Sequence, residues 1–445
     1  MLINFKFSNV LSFGEENTLD LKAGKYTKHA NHVIRSVEDY KLLRMAAIYG
    51  ANAAGKTNLI YALRELRDII TAGTVDKAET LLVKPFKFSD PETPVKFDIE
   101  YSTKKNVYKY ILEIQTSVIK SEILYKLDAR KNNFIEVFTR KSEKDKTNAL
   151  YFNGNTEHDQ KEMLRAEIYK EDLRSNQPFL KEGSNKSFLD IYDAYDWFVN
   201  KLIIIAPNER PYSVFSFFIN EYNKPEFKEL FKRLDTGISD ITVDKKPLED
   251  YIGIISEEKK NYFIRQLNRR GFLRLTPERN NSGSEIEVIL ENDSLKALEL
   301  VTTHTGANEQ TRTFMLKEES MGIRRLFDLI PALYKIDKDE VTIFIDEFEK
   351  SIHPMLLINL LKYLNKEENL KGQLIFSTHE ATLLDLDLFR QDEVWFVEKD
   401  KYGSSHLYSL SEFKPRFDKD IRKDYLQGRF GAIPFLLGSD NFLKE

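Results

Sequence analysis

The chain opens on Leu2 to Phe7, where apolar and polar residues alternate in the two-residue period of a strand, and Asn17 to Leu21 repeats the pattern after a turn at Gly14. Arg44 to Tyr49 is apolar almost throughout, as expected of a strand buried on both faces, and it runs straight into a glycine loop. Beyond the loop, Leu59, Ala62, Leu63, Leu66 and Ile70 fall on one face of a helix spanning Asn58 to Ile70. Val95 to Tyr101, Tyr108 to Ile114 and Ser121 to Tyr125 are strand-like runs between short polar turns and predict a flanking antiparallel sheet. From about Glu157 to Asn200 the pattern lengthens into a charged, helical period, and Lys228 to Thr236 predicts another helix that stops at Gly237. Ile286 to Leu290, Val341 to Ile345 and Gln373 to Phe376 are further strands, with a helix through Leu326, Leu329, Ile330 and Leu333.

This order predicts an α/β protein with a mixed central sheet, a flanking antiparallel sheet and an inserted, mainly helical lobe. The expected divisions are 1–150, 151–300 and 301–445. Length supports the division, since 445 residues exceed what one small core organises. With 41% hydrophobic and 31% charged residues, including 31 Phe and 21 Tyr, the chain has the balance of a folded globular protein rather than a disordered one. No internal repeat and no sustained heptad series is present, which excludes a long coiled-coil arm.

A net charge of −4 gives no global attraction to polyanions, so nucleic-acid binding would require a local patch. The basic stretch from Lys259 to Ser284, with Arg265, Arg269, Arg270, Arg274 and Arg279, leaves two readings open, a solvated surface or a contact to phosphates. The absence of cysteine excludes disulfides and thiolate zinc sites and fits a reducing compartment. With no signal-peptide pattern at the start, and apolar runs far below the roughly 20 residues that cross a bilayer, a cytoplasmic location without membrane attachment is expected.

Gly50-Ala51-Asn52-Ala53-Ala54-Gly55-Lys56-Thr57 fits G-x-x-x-x-G-K-[ST], a loop whose flexible glycines let successive N–H groups point at phosphate oxygens. Lys56 would neutralise β/γ-phosphate charge and Thr57 would give its hydroxyl to Mg²⁺. Val341 to Ile345 ends in Asp346-Glu347, one carboxylate to hold Mg²⁺ and one to orient and deprotonate water. Many strands exit into acidic loops, so it is the pairing with the glycine loop that gives these acids a chemical reading. His379, at the end of the next strand, is either a structural histidine or a donor to the γ-phosphate, and its position favours the second. Ser320 and Gly322 start a helix, either as an ordinary N-cap or as an anion-binding end.

The order glycine loop, long insertion, Ser-x-Gly, Asp-Glu and Ser-Thr-His resembles the ABC-type ATPases, in the soluble branch that includes SMC, RecF and OLD-like proteins. Within it, Tyr49 to Asn58, Asp346 to Pro354 and Gly428 to Pro434 are similar to AAA-type ATPases of bacterial anti-phage and abortive-infection systems such as PARIS, Septu or AbiL. The resemblance implies ATP and Mg²⁺ as ligands, with Gly50, Asn52, Ala53, Ala54, Gly55, Lys56, Thr57 and Asn58 around the nucleotide. It also implies a homo-oligomer in which Ser320 and Gly322 of one subunit close on ATP held by another. The segment departs from the LSGGQ form of transporters, and no glutamine matches the Q-loop. About sixty-five residues follow His379, fewer than a usual catalytic domain, so a separately encoded effector, a nuclease or toxin, is expected, with a phage-derived trigger. The alternative is a RecF- or SMC-like DNA repair or maintenance ATPase.

Overall fold

The computed structural model describes residues 1–433, apart from 75, 77, 144–145, 153–166, 186–187, 211, 223–233, 235, 277–284, 367–369 and 418. Most of the helix expected at Lys228 to Thr236, as well as Arg279 and Pro434, lies outside the described residues, as do the side chains of Arg269 and Arg270. In chain order the elements begin with β1 (Leu2–Ser8), β2 (Asn17–Asp20), β3 (Val33–Arg35), β4 (Lys41–Leu43), β5 (Met45–Tyr49) and α1 (Lys56–Ala72). There follow β6 (Val95–Ser102), β7 (Val107–Gln115), β8 (Val118–Asp128), β9 (Asn133–Glu143), β10 (Lys146–Phe152), α2 (Phe179–Ser184), α3 (Leu189–Asp196) and β11 (Leu202–Ile205). Next come α4 (Val214–Glu221), β12 (Ile238–Pro247), α5 (Glu249–Ile252), α6 (Glu257–Arg270), β13 (Leu273–Leu275), β14 (Ile286–Glu291), β15 (Ser294–Thr305), β16 (Thr311–Met315) and α7 (Met321–Lys338). The chain then adds β17 (Thr342–Ile345), α8 (Pro354–Lys366), β18 (Gln373–Ser377), β19 (Val394–Lys399), β20 (Ser405–Ser409) and α9 (Ile421–Leu426).

These elements form two compact units. The first comprises Met1–Pro207, Lys335–Phe348 and Asn365–Glu445. Its central sheet runs β11-β17-β18-β5-β19-β20, parallel except for the last pair. β5, β17 and β18 are fully buried apolar runs, the pattern expected of parallel strands covered on both faces. A second sheet, β10-β9-β8-β7-β6-β1-β2, is antiparallel throughout, and its strands alternate buried and exposed positions. One hydrophobic cluster joins Phe5, Phe97 and Tyr110 of this sheet to Ile48, Phe344 and Ile375 of the parallel sheet through Leu59, Leu63, Leu66 and Ile70 of α1. Each such side chain contributes about 1.5–3 kcal/mol by leaving water. α1 is thereby fixed behind the loop that precedes it.

α1 also carries Glu65, whose carboxyl burial pushes up to about 7, against the pull of the Lys84 N–H at 3.2 Å. The folded chain therefore keeps this proton over a window in which the unfolded chain, near 4.5, has already lost it. Folding stability falls from about pH 4.5 to about pH 7 on this account and is flat above. Glu65→Gln is expected to remove that slope, which urea melts at pH 5 and pH 7.5 will measure; an unchanged slope would show that Glu65 ionises normally.

The second unit comprises Asn208–Tyr334 and Glu349–Leu364. Of its described helices the sequence predicts only α7, not α4, α5 or α6, and the unit also contains a five-stranded antiparallel sheet, β12-β15-β14-β13 with β16 beside β15. Hydropathy predicted only β14 of these strands: β12 and β16 are mostly exposed and lack the alternating apolar face that marks a strand, and in the mostly buried β15 Glu299, Thr302 and Thr303 interrupt the apolar run. Leu248, Phe263, Leu267, Ile286, Val288 and Ala297 form its core.

Candidate functional site

β18 lies between β17 and β5, all three parallel, so the segments leaving their carboxyl ends are neighbours. In open parallel sheets this is the edge where ligands bind. From β5 emerges the glycine loop, from β17 Asp346-Glu347, and from β18 Thr378-His379.

The loop's backbone explains its glycines. A Cβ at Gly50 would sit 2.4 Å from the Val397 carbonyl oxygen of β19, and one at Gly55, where φ is +122°, would sit 2.4 Å from Ser405 Oγ. Ala53 is left-handed as well, at φ 62°. Ser405 at the start of β20 donates to the Ala54 carbonyl at 2.6 Å and lies 2.8 Å from Ser12 Oγ, bracing the loop from outside. Sequence gave no signal for these two serines, which meet across 393 positions.

Lys56 is buried, and its ammonium donates to the carbonyls of Gly50 at 2.7 Å and Ala51 at 3.1 Å. It also lies 3.1 Å from His379 Nδ1, so the loop lysine and the histidine predicted from the far end of the chain share one site. Asn52, Ala53 and Ala54 lie in the loop itself, and Thr57 and Asn58 lie in the first turn of α1.

Asp346 is 1% exposed, and its Oδ2 has no hydrogen-bond partner among the described residues. A buried carboxylate oxygen left in this state is costly unless a cation takes it. The Asp346 carboxylate and the Thr57 hydroxyl are both hard oxygens, the donor type that Mg²⁺ takes. The other Asp346 oxygen, Oδ1, accepts from Ser377 Oγ, the first residue of Ser-Thr-His. Glu347 follows with φ 50°, a left-handed conformation that a residue with a side chain adopts at a cost.

Ser320 and Gly322 belong to the second unit. Ser320 Oγ accepts from the Ile323 N–H at 3.2 Å and so caps α7. A Cβ at Gly322 would meet the Ser351 carbonyl oxygen at 2.5 Å, so close packing of the first turn of α7 requires glycine there. Arg274 of the basic stretch is only 16% exposed and is paired with Glu287 at 2.9 Å and Asp328 at 3.5 Å, which takes its charge out of the surface patch. Burial pushes both carboxyls up from their usual range, opposed by Arg274 and, for Asp328, also by Arg210.

The Gly428 to Ile433 segment packs on β19. Phe430 stacks on Phe396 at 5.8 Å, its carbonyl accepts from Tyr408 Oη at 2.7 Å, and Gly431 is left-handed at φ 68° with no room for a Cβ beside Glu398. No helix among the described residues is long and apolar enough to cross a membrane.

No curated protein matches the chain. Among solved structures, it is similar to an SMC head bound to the C-winged helix domain of ScpA, at 15% identity and TM-score 0.41, covering 93% of this chain and 99% of that one. It is also similar to the SMC head domain from Thermotoga maritima, at 13% identity and TM-score 0.34, covering 92% and 98%. An SMC head from Pyrococcus furiosus, with an extended coiled coil and bound to the C-terminal domain of ScpA, gives 13% identity and TM-score 0.40, covering 96% and 99%. Residues 45–385, which run from the start of β5 past His379, match one protein family, and the chain belongs to it: AAA domain, putative AbiEii toxin, Type IV TA system.

Proposed function

We propose that this protein hydrolyses ATP to ADP and phosphate, and that it does so as the sensor or scaffold subunit of a bacterial anti-phage system controlling a separately encoded nuclease or toxin. The observation that carries the first half is the meeting of Lys56 and His379 at 3.1 Å, with a buried carboxylate oxygen of Asp346, without a partner among the described residues, at the end of the strand next to that of His379. Loop N–H groups and Lys56 take the phosphates, and Thr57 and Asp346 would hold Mg²⁺, which would supply neutralisation of phosphate charge. Glu347 accepts the proton of the attacking water as the new O–P bond forms and the bond to ADP breaks. His379 donates to the γ-phosphate. Ser320 and Gly322 of a second subunit complete the site, which makes the working form a homo-oligomer.

The second half is supported by the family's description, which couples this AAA domain to a toxin–antitoxin class. Lys56→Ala removes the phosphate-neutralising charge and is expected to abolish protection of an infected host, read as plaque counts with and without the variant. Protection equal to wild type would sink the defence reading. Purifying tagged protein with ATP and Mg²⁺ and identifying what co-purifies separates this reading from DNA maintenance: a nuclease or toxin supports defence, whereas DNA with recombination proteins overturns it.

A further inference from the structure

We infer that Ser377 is a positioning residue that sets both acids of the site through one hydroxyl. This rests on the ATP-hydrolysis reading for its role in turnover, but its effect on metal binding does not require turnover.

The Glu347 N–H donates to Ser377 Oγ at 2.9 Å, and Ser377 Oγ is within hydrogen-bond distance of Asp346 Oδ1. A hydroxyl has one proton to give. Because the backbone N–H can only donate, that proton goes to Asp346, and the direction of both bonds is fixed. One carboxylate oxygen of Asp346 is thereby used, which leaves Oδ2, the one without a partner among the described residues, as the metal-facing oxygen. The other bond holds the peptide of Glu347 in its left-handed conformation at φ 50°. The same residue's carbonyl accepts the Phe348 N–H at 3.1 Å, and on the other side the Asp346 N–H reaches the Ile205 carbonyl at 2.9 Å. Ser377 thus touches three consecutive residues, and only its hydroxyl acts on the two acids.

Removing that hydroxyl frees the Asp346 carboxylate to rotate and leaves the Glu347 amide without its acceptor. The backbone bonds and the fully buried β18 are untouched, so Ser377→Ala is expected to fold. Ser377→Thr keeps the hydroxyl on a strand position, where a β-branched residue is favoured.

The test measures the Mg²⁺ concentration that half-saturates ATPγS binding, followed by equilibrium dialysis, together with kcat and KM for ATP and a thermal melt. Ser377→Ala is expected to raise the Mg²⁺ half-saturation about tenfold and to lower kcat more than KM rises, while ATPγS binding without metal stays within about twofold, effects of the size seen when partners of metal ligands are removed. Ser377→Thr restores both values. A Ser377→Ala protein with a lowered melting temperature but wild-type Mg²⁺ half-saturation overturns the inference, leaving a structural role. If wild type binds ATPγS in an Mg²⁺-dependent way but has no turnover, the hydrolysis reading fails while the metal arm still decides the role of Ser377. If Mg²⁺ changes neither ATPγS binding nor turnover in wild type, both are overturned.

Discussion

Glu347→Gln is expected to lower ATP turnover by about 10²–10⁴-fold, the usual worth of a general base, while nucleotide binding is retained. The glutamine keeps the shape and volume of the side chain and leaves the 2.9 Å bond from the residue 347 N–H to Ser377 intact, so the left-handed turn is preserved. What is lost is the ability to accept a proton. The effect should therefore fall on kcat, with single-turnover assays showing bound ATP that persists. A loss of less than about tenfold would mean that another group takes the proton. Lys56 differs in kind, since its removal is expected to weaken binding itself.

The largest expected loss of stability comes from a place remote in sequence from those motifs. Arg140 and Glu122 are fully buried against each other at 3.2 Å between β8 and β9. Glu122 also accepts from Tyr110 Oη at 2.9 Å and from the Phe179 and Leu180 N–H groups at 2.8 Å, which satisfies the start of α2. Arg140 donates to the Arg174 carbonyl at 2.7 Å and to that of Gln177. Arg140→Ala would leave a charged carboxylate buried without its counter-ion, at a cost of about 3–5 kcal/mol. Thermal melts should fall by roughly 5–8 °C, taking an unfolding entropy of about 2.1 cal/mol/K per residue over a unit of about 300 residues. A single-variant shift below about 3 °C would show that water reaches the carboxylate.

Hydropathy located the elements that carry chemistry because those elements are buried on both faces or strictly periodic. Arg44 to Tyr49, Val341 to Ile345 and Gln373 to Phe376 correspond to β5, β17 and β18 within a residue or two, and the helix after the loop corresponds to α1. The antiparallel sheet was legible at β6, β7 and β8, whose alternation is regular. It was not legible at β9, where the apolar alternation breaks down after Phe138 into Thr-Arg-Lys-Ser-Glu, nor at β10, which opens on the polar run Lys-Thr-Asn. Pairing in these strands is decided by neighbours rather than by their own composition. At the candidate site, motif spacing brought out Lys56, Asp346, Glu347 and His379, since each sits at the end of a recognisable strand or loop. Ser377, Ser405 and Ser12 carried no such mark. A serine's hydrogen-bond partners depend on which strands become adjacent, and that order, β17-β18-β5, is a property of the fold.

That strand order also bears on how the chain is made. β5 lies between β18 and β19, and both of those partners are encoded more than 300 residues after it. Lys56 and His379 are separated by 323 positions. At a synthesis rate of roughly 5–20 residues per second, the ribosome needs about 16–65 s after the loop before the histidine emerges. Throughout that interval Met45–Tyr49, destined to be buried on both faces, has neither of its two strand neighbours. An apolar strand with two open edges is an invitation to mispairing. Nascent chains stalled before residue 373 should therefore need a holding factor to stay soluble.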